Sequence, residues 1–360
     1  MNGSPLILLK QMRKNGPVRF SRCGVALLYL IKSMSMVPFS LWEYLFYRKK
    51  IEHHDLKHPP VFIIGHYRSG TTYLHKVMSR NKKWGGIITY NFLFPYHPRW
   101  LEKLIKPFLQ RGINLFNLKN VHFNNYRLNL DDPLEEDMIT IAAATPHSAF
   151  WGEIFPKHAE KQFNKQILFT DVNDKSAWQK TYLSLIKKLS IRNGGRQLLL
   201  KNPPNTGRIA ALLELFPDAK FIFIYRNPYQ VYFSTWRLWK ETLEKNYALQ
   251  MINDNERKRI IFYLYKNIMD KYLEERQLIA PGNLTEVKYE DFETDPLAEV
   301  ERIYRELSLP GFNEAKPHIQ TLLTKEKTYK KFSYEYPVEI QEEVYSQWHL
   351  FIDRWNYSKL

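Results

Sequence analysis

Two glycines, an arginine and a run of hydroxyl side chains stand close together near residue 65. The stretch VFIIGHYRSGTTYLHKVM, residues 61–78, carries four apolar residues into Gly65-His66-Tyr67-Arg68-Ser69-Gly70-Thr71-Thr72 and then a helical pattern. Gly65 and Gly70 have the spacing of G-x-x-x-x-G-K-[ST], in which a strand enters a glycine-bounded turn and leaves as a helix whose N–H groups face an anion. Thr71 stands where that motif has its lysine. Ser69, Thr71 and Thr72 add hydroxyl donors at the start of the helix. A plain βα turn with a cap uses some of the same parts. The combination of two glycines, a buried strand and stacked hydroxyls points instead to a phosphate group.

A kinase or NTPase needs the loop lysine on the β- and γ-phosphates and a strand-end aspartate for Mg²⁺. Here the later strands end in Lys201 and Arg226. Cations at the carboxyl ends of parallel strands point into the crevice where ligands bind. The crevice is therefore expected to hold a strongly anionic donor through fixed positive charge, with no metal site. In YRNPYQVYFSTWR, Ser234 follows Arg226 by eight residues, about two turns into the next helix, so both can reach one phosphate. Lys201 reads either as a neutralising charge in the crevice or as a surface lysine. PLEED places Glu135, Glu136 and Asp137 together, either as acid–base groups or as ordinary favourable acids in a first helical turn after Pro133. His66 lies inside the loop and His75 one turn into its helix.

These residues need elements to position them. Val61–Ile64, residues 196–201, 220–226 and 284–289 read as strands, the first apolar throughout as a parallel strand buried on both faces must be. Helical patterns cover about 71–80, 206–216, 228–246, 255–277 and 296–307, with Pro228 in the position a helix start tolerates. The alternation predicts an α/β fold: a P-loop-like core of parallel β-sheet flanked by helices. Residues of about 90–170 depart from it. They are rich in aromatics, Pro, Asn and His, with helical pieces near 99–112 and 133–143, and read as a helical and irregular insertion that holds an acceptor pocket or lid. The expected organisation is an N-terminal helical segment over 1–57, the main domain over 58–335 and a helical tail over 336–360.

The chain has 53 Lys+Arg against 37 Asp+Glu, a formal net charge of +16, which favours anionic partners. One cysteine, Cys23, excludes an intrachain disulfide framework and suits a reducing compartment. No secretory leader is recognisable, so a cytoplasmic protein is expected. Residues 23–47 are apolar and aromatic between basic flanks. They read either as a helix pair packed on the core or as a segment at a membrane interface, which would put the protein on the cytoplasmic face of a membrane.

The motifs together resemble the sulfotransferase superfamily, in its bacterial-type family. GHYRSGTTYLH is similar to that family's 5′-phosphosulfate loop, LDDPLEED to the acidic motif that follows, LLLKNPPNTGRIAALLELFPDAKFIFIYRNPYQVYFST to its 3′-phosphate segment, and VKYEDFETDPLAEVERIYREL to its late strand–helix signature, over about residues 58–335. The resemblance implies transfer of a sulfuryl group from 3′-phosphoadenosine 5′-phosphosulfate (PAPS) to a hydroxyl or amine of a small-molecule, glycan or lipid acceptor, without a metal. It implies that Arg68, with Ser69, Gly70, Thr71 and Thr72, holds the 5′-phosphosulfate, and that Arg226 and Ser234 hold the 3′-phosphate. His66 would touch the same donor. A basic C-terminal loop, here Tyr329, Lys330 and Lys331 in TKEKTYKKFSY, would close over the nucleotide. Relatives carry a glutamate base in a GEE-type motif about twenty residues past the loop. This chain reads GGIITYNF there, so the base passes to Glu136, then Glu135, with His75 and Lys201 as further catalytic candidates. Two other classes compete: a kinase with a degenerate phosphate loop, and a non-enzymatic binder of anionic glycans or nucleic acid.

Overall fold

A computed structural model describes residues 5–118, 128–142, 145–326 and 337–360. The chain divides into two compact units, one of Met1–Lys57, Gly86–Gly195 and Lys240–Ile252, the other of His58–Gly85, Arg196–Trp239 and Asn253–Leu360.

The second unit is built on four parallel strands, β1 (Val61–Ile64), β2 (Leu199–Lys201), β3 (Lys220–Tyr225) and β4 (Leu284–Lys288), in the order β2-β1-β3-β4. All of β1 is buried, because it pairs with β2 through Val61↔Leu199 and with β3 through Val61↔Lys220. The edge strand β4 alternates buried and partly exposed residues. Ile63, Leu74, Val77, Ile222, Val300 and Ile303 form one apolar cluster against the sheet. Side-chain caps start the helices. Asn227 Oδ1 accepts the Tyr229 N–H at 3.0 Å ahead of helix Pro228–Arg237, and Asn253 with Glu256 forms a reciprocal box at helix Asp254–Glu275. Two expected helices are shorter than the patterns predict. Pro203 and Pro204 lack N–H donors, so residues 203–207 form a 3₁₀ turn before helix Ile209–Leu215. The pattern over 228–246 is α-helical only to Arg237 and then widens into a π segment, Leu238–Leu243.

The first unit is helical. Residues 23–47 form no helix pair but part of one 30-residue helix, Cys23–Glu52, with Pro38 inside it. Helix Arg99–Leu115 extends the pattern expected near 99–112, and helix Glu136–Ala142 begins on the acids of PLEED. Helix Val172–Arg192 was not foreseen. Its buried Trp178, Tyr182, Ile186 and Leu189 recur every three or four residues on one face, and Asp171 caps it by accepting the Asn173 N–H at 2.8 Å.

Candidate active site

The carboxyl ends of β1 and β3 open at the point where the strand order reverses, since β2 follows β1 on one side and β3 lies on the other. Open parallel sheets bind ligands at such points. The loop after β1 is folded by its own short bonds. The Ser69 N–H and Oγ both donate to the His66 carbonyl, at 3.2 and 2.7 Å. Arg68 sits at φ 69, a left-handed conformation that a side chain makes unfavourable and that the surrounding bonds must hold. The two glycines are required by close approach. A Cβ on Gly65 would lie 2.3 Å from the Ile224 carbonyl oxygen, and one on Gly70 would lie 2.2 Å from the ring of Tyr289. The Gly65 N–H donates to Thr206 Oγ1 at 2.8 Å, tying the loop to the turn after β2.

Five of the predicted side chains meet at this loop. Arg68 Nε donates to Ser234 Oγ at 2.8 Å. Arg226 Nη1 donates to the Arg68 carbonyl at 3.4 Å and Nη2 to Gln230 Oε1 at 2.7 Å, while its guanidinium lies 4.3 Å from the Tyr289 ring centroid. Arg226 Nε is buried without a hydrogen-bond partner among the described residues. Lys201 is 1% exposed, which corrects its reading as a surface charge, and its Nζ donates to Thr72 Oγ1 at 3.2 Å. Desolvating these cations is costly unless an anion compensates them. An orphaned guanidinium N–H, a lysine at a strand end and the loop hydroxyls form a donor set suited to an anionic group.

Both histidines turn away from a charged role. His66 is buried, with Nδ1 2.8 Å from the Tyr67 carbonyl and its ring edge-on to Tyr265; burial lowers its pKa to about 4. Burial, then the charge of Lys201, lowers His75 to about 3, and His75 Nδ1 has no partner among the described residues. Both are neutral at pH 7.

The acids belong to the first unit. Glu136 is fully buried and its Oε1 accepts the Tyr182 hydroxyl at 3.0 Å, while Asp137 accepts from Thr140 Oγ1 at 3.1 Å. Glu153, which sequence reasoning passed over, is held well above the usual carboxylate range by burial and then by the charges of Glu135 and Asp137. Its only signal is one acid in the apolar run FWGEIF. Tyr289, Asn227 and Thr206 were missed as well. Each lies inside a motif that resembles the sulfotransferases, but a ring that walls a loop has no signature in spacing. Tyr329, Lys330 and Lys331 lie outside the described residues. Among the described residues no group of three or more His, Cys, Asp or Glu is arranged to hold a metal ion.

The Sulfotransferase family profile matches residues 59–314. The chain is 30% identical over 350 residues, 97% of its length and 88% of the relative's, to the omega-hydroxy-beta-dihydromenaquinone-9 sulfotransferase Stf3 of Mycobacterium tuberculosis, and equally to that of Mycobacterium bovis. Its fold is similar to the crystal structures of sulfotransferase STF9 from Mycobacterium avium, with a TM-score of 0.75 at 17% identity over 98% of this chain and 96% of that one, and of STF1 from Mycobacterium tuberculosis, with a TM-score of 0.70 at 17% identity over 95% and 89%. The parallel sheet, the glycine loop and the extent of these matches lead to one assignment: this chain belongs to the sulfotransferase family.

Proposed function

We propose that the protein transfers a sulfuryl group from PAPS to a hydroxyl group of a lipophilic acceptor. The observation that carries the donor is the convergence of Arg68, Ser234, Arg226 and Lys201 around one glycine loop, with Arg226 Nε left without a partner among the described residues. The donor supplies the sulfuryl group. Arg68 and the loop hydroxyls hold the leaving phosphate, on which negative charge grows as the bond to sulfur breaks, so preorganised donors there lower the barrier. Arg226 and Ser234 hold the 3′-phosphate, Arg226 through a guanidinium that Gln230 and the Tyr289 ring keep in one orientation. Lys201 adds fixed positive charge beside Thr72. An imidazole lowered to about 3 is a weak base for an alcohol, which counts against His75 as the proton acceptor. The acceptor class rests on the relative that shares 30% identity over 97% of this chain, whose name gives an omega-hydroxylated dihydromenaquinone as its substrate.

Thermal shifts with 3′-phosphoadenosine 5′-phosphate (PAP), ADP, and ADP with Mg²⁺ test the donor, because a ligand raises the melting temperature by mass action. A shift with PAP alone is expected. A larger shift with ADP and Mg²⁺ overturns the reading in favour of a kinase. Salt-sensitive binding without nucleotide selectivity overturns it in favour of an anionic-polymer binder. Sulfuryl transfer from PAPS to a terminal hydroxyl on a prenyl chain, compared with a soluble sugar, tests the acceptor. Equal rates would refute the lipophilic class.

A further inference from the structure

The face that helix Cys23–Glu52 turns outward has a chemistry that sulfuryl transfer does not use. Residues 23–47 contain two charged side chains, and both turn inward. Lys32 Nζ lies 4.4 Å over the Phe92 ring, where burial lowers its pKa to about 8, and Glu43 is ion-paired with Lys188. Apart from Ser35, whose hydroxyl donates to the Lys32 carbonyl, and the tyrosines, what remains outside is apolar. Leu27, Ile31, Met34, Leu41 and Leu45 are 56, 54, 61, 43 and 64% exposed, and at about 100° per residue they form one stripe. The helix is apolar and long enough to cross a bilayer, by length and composition. Its inward face, however, is fixed to protein: Met36 and Phe39 pack with Phe94 and Tyr96, and Phe39 lies 4.4 Å from His97.

A second helix repeats the pattern. Arg99–Leu115 starts two residues beyond that aromatic junction and exposes Trp100, Leu104, Phe108 and Leu115 at 61, 58, 65 and 80%. Lys103 and Arg111 are exposed in the same arc. Trp, Phe and Leu interleaved with cations on one helical face are the pattern of a helix lying in a membrane interface. Exposed Arg19 precedes the long helix, and exposed Arg48, Lys49 and Lys50 lie in its last turns. These like charges at both ends disfavour a second copy as the occupant. Parallel or antiparallel self-pairing of the stripe brings cation against cation. A surface of anionic headgroups is complementary to both ends at once.

We propose that this face docks on an anionic lipid bilayer, with helix Cys23–Glu52 lying along the surface, its apolar stripe among the acyl chains and its terminal cations on headgroup phosphates. The proposal needs neither the donor nor the acceptor assigned above. Cys23 supplies the probe: it is the chain's single cysteine, it is exposed, and it lies one turn before Leu27 on the stripe. The full chain, labelled there with an environment-sensitive fluorophore, is titrated with vesicles of phosphatidylglycerol and phosphatidylcholine, and with phosphatidylcholine alone. A blue shift on the anionic vesicles is expected. The triple variant Arg48→Ala/Lys49→Ala/Lys50→Ala, confined to exposed residues, is expected to weaken partitioning on the order of 100-fold. Ile31→Glu/Leu45→Glu is expected to abolish the shift. Unshifted emission on both vesicle types overturns the proposal. So does a solution dimer, seen by sedimentation, that Ile31→Glu/Leu45→Glu dissociates while vesicle binding persists.

Discussion

Gly70→Ala tests whether the Tyr289 ring is the wall of the glycine loop. The new Cβ would lie 2.2 Å from one ring carbon and 2.6 Å from the next, so the ring must retreat by about 1.2 Å to reach an ordinary 3.4 Å contact. That ring is held by its hydroxyl, which donates to Glu293 at 2.8 Å, and it supports the Arg226 guanidinium at 4.3 Å. Weakening the bond to a carboxylate costs about 1.5 kcal/mol, and disturbing the cation–π contact about 0.5–1 kcal/mol. An alanine at φ 99 adds about 1–2 kcal/mol. The expected destabilisation is roughly 3–4 kcal/mol, with a weakened affinity for PAP because Arg226 shifts with the ring. In a Tyr289→Ala background only the backbone cost remains, so Gly70→Ala should then cost about 1–2 kcal/mol. Urea unfolding of the four proteins of the cycle, with PAP binding by calorimetry, reads both effects. A cost for Gly70→Ala that is the same in both backgrounds refutes the ring as the obstacle. Gly65→Ala is the contrasting case. Its Cβ would meet the carbonyl oxygen of Ile224 in β3 at 2.3 Å, and no side-chain removal relieves it.

Arg68→Ala should lower kcat about 100- to 1,000-fold, the usual effect of removing one preorganised donor from a developing anion. The KM for acceptor should stay within about threefold in steady-state assays; an unchanged kcat refutes the role. Stability should fall in acid. The folded pKa values of His66 and His75 are lowered to about 4 and about 3, so the unfolded chain binds more protons than the folded one below about pH 6.5, the model-peptide value. The stabilisation is complete above that pH and is lost as pH falls through about 6 to 4, by roughly 2–3 kcal/mol per histidine at pH 4.5. Urea unfolding at successive pH values checks it. Curves for His66→Gln and His75→Gln that parallel the parent's would refute the assignment.

The parts of the fold that are readable in the sequence are those where one local rule dominates. β1 and β3 are apolar on both faces, so VFII and KFIFIY identify themselves, and Pro228 after Asn227 marks a helix start through the fixed φ of proline and the reach of a short amide. The loop was legible because two glycines at that spacing announce a tight turn, and both adopt positive φ, at 144 and 99. What was hidden depends on tertiary context. Lys201 reads either as a crevice charge or as a surface lysine until edge strand β2 is seen paired with β1, with the residue buried beside Thr72. Tyr289 is one aromatic among 23 tyrosines until Gly70 is found beneath it. The direct bond from Arg68 to Ser234 joins residues 166 apart, a relation no local pattern contains.

The interruption of the sheet by the chain's own order has a consequence for synthesis. β1 is a central strand that pairs with β2 on one side and β3 on the other, yet Leu199 emerges 138 residues after Val61. At ordinary translation speeds β1 waits ~7–28 s for its first neighbour. Throughout that interval VFII is an unpaired apolar strand with both edges open, the kind of segment that aggregates or recruits chaperones. The sheet that carries the glycine loop is therefore among the last parts of the chain able to close, and its pairings are long-range ones of the kind that fold slowly.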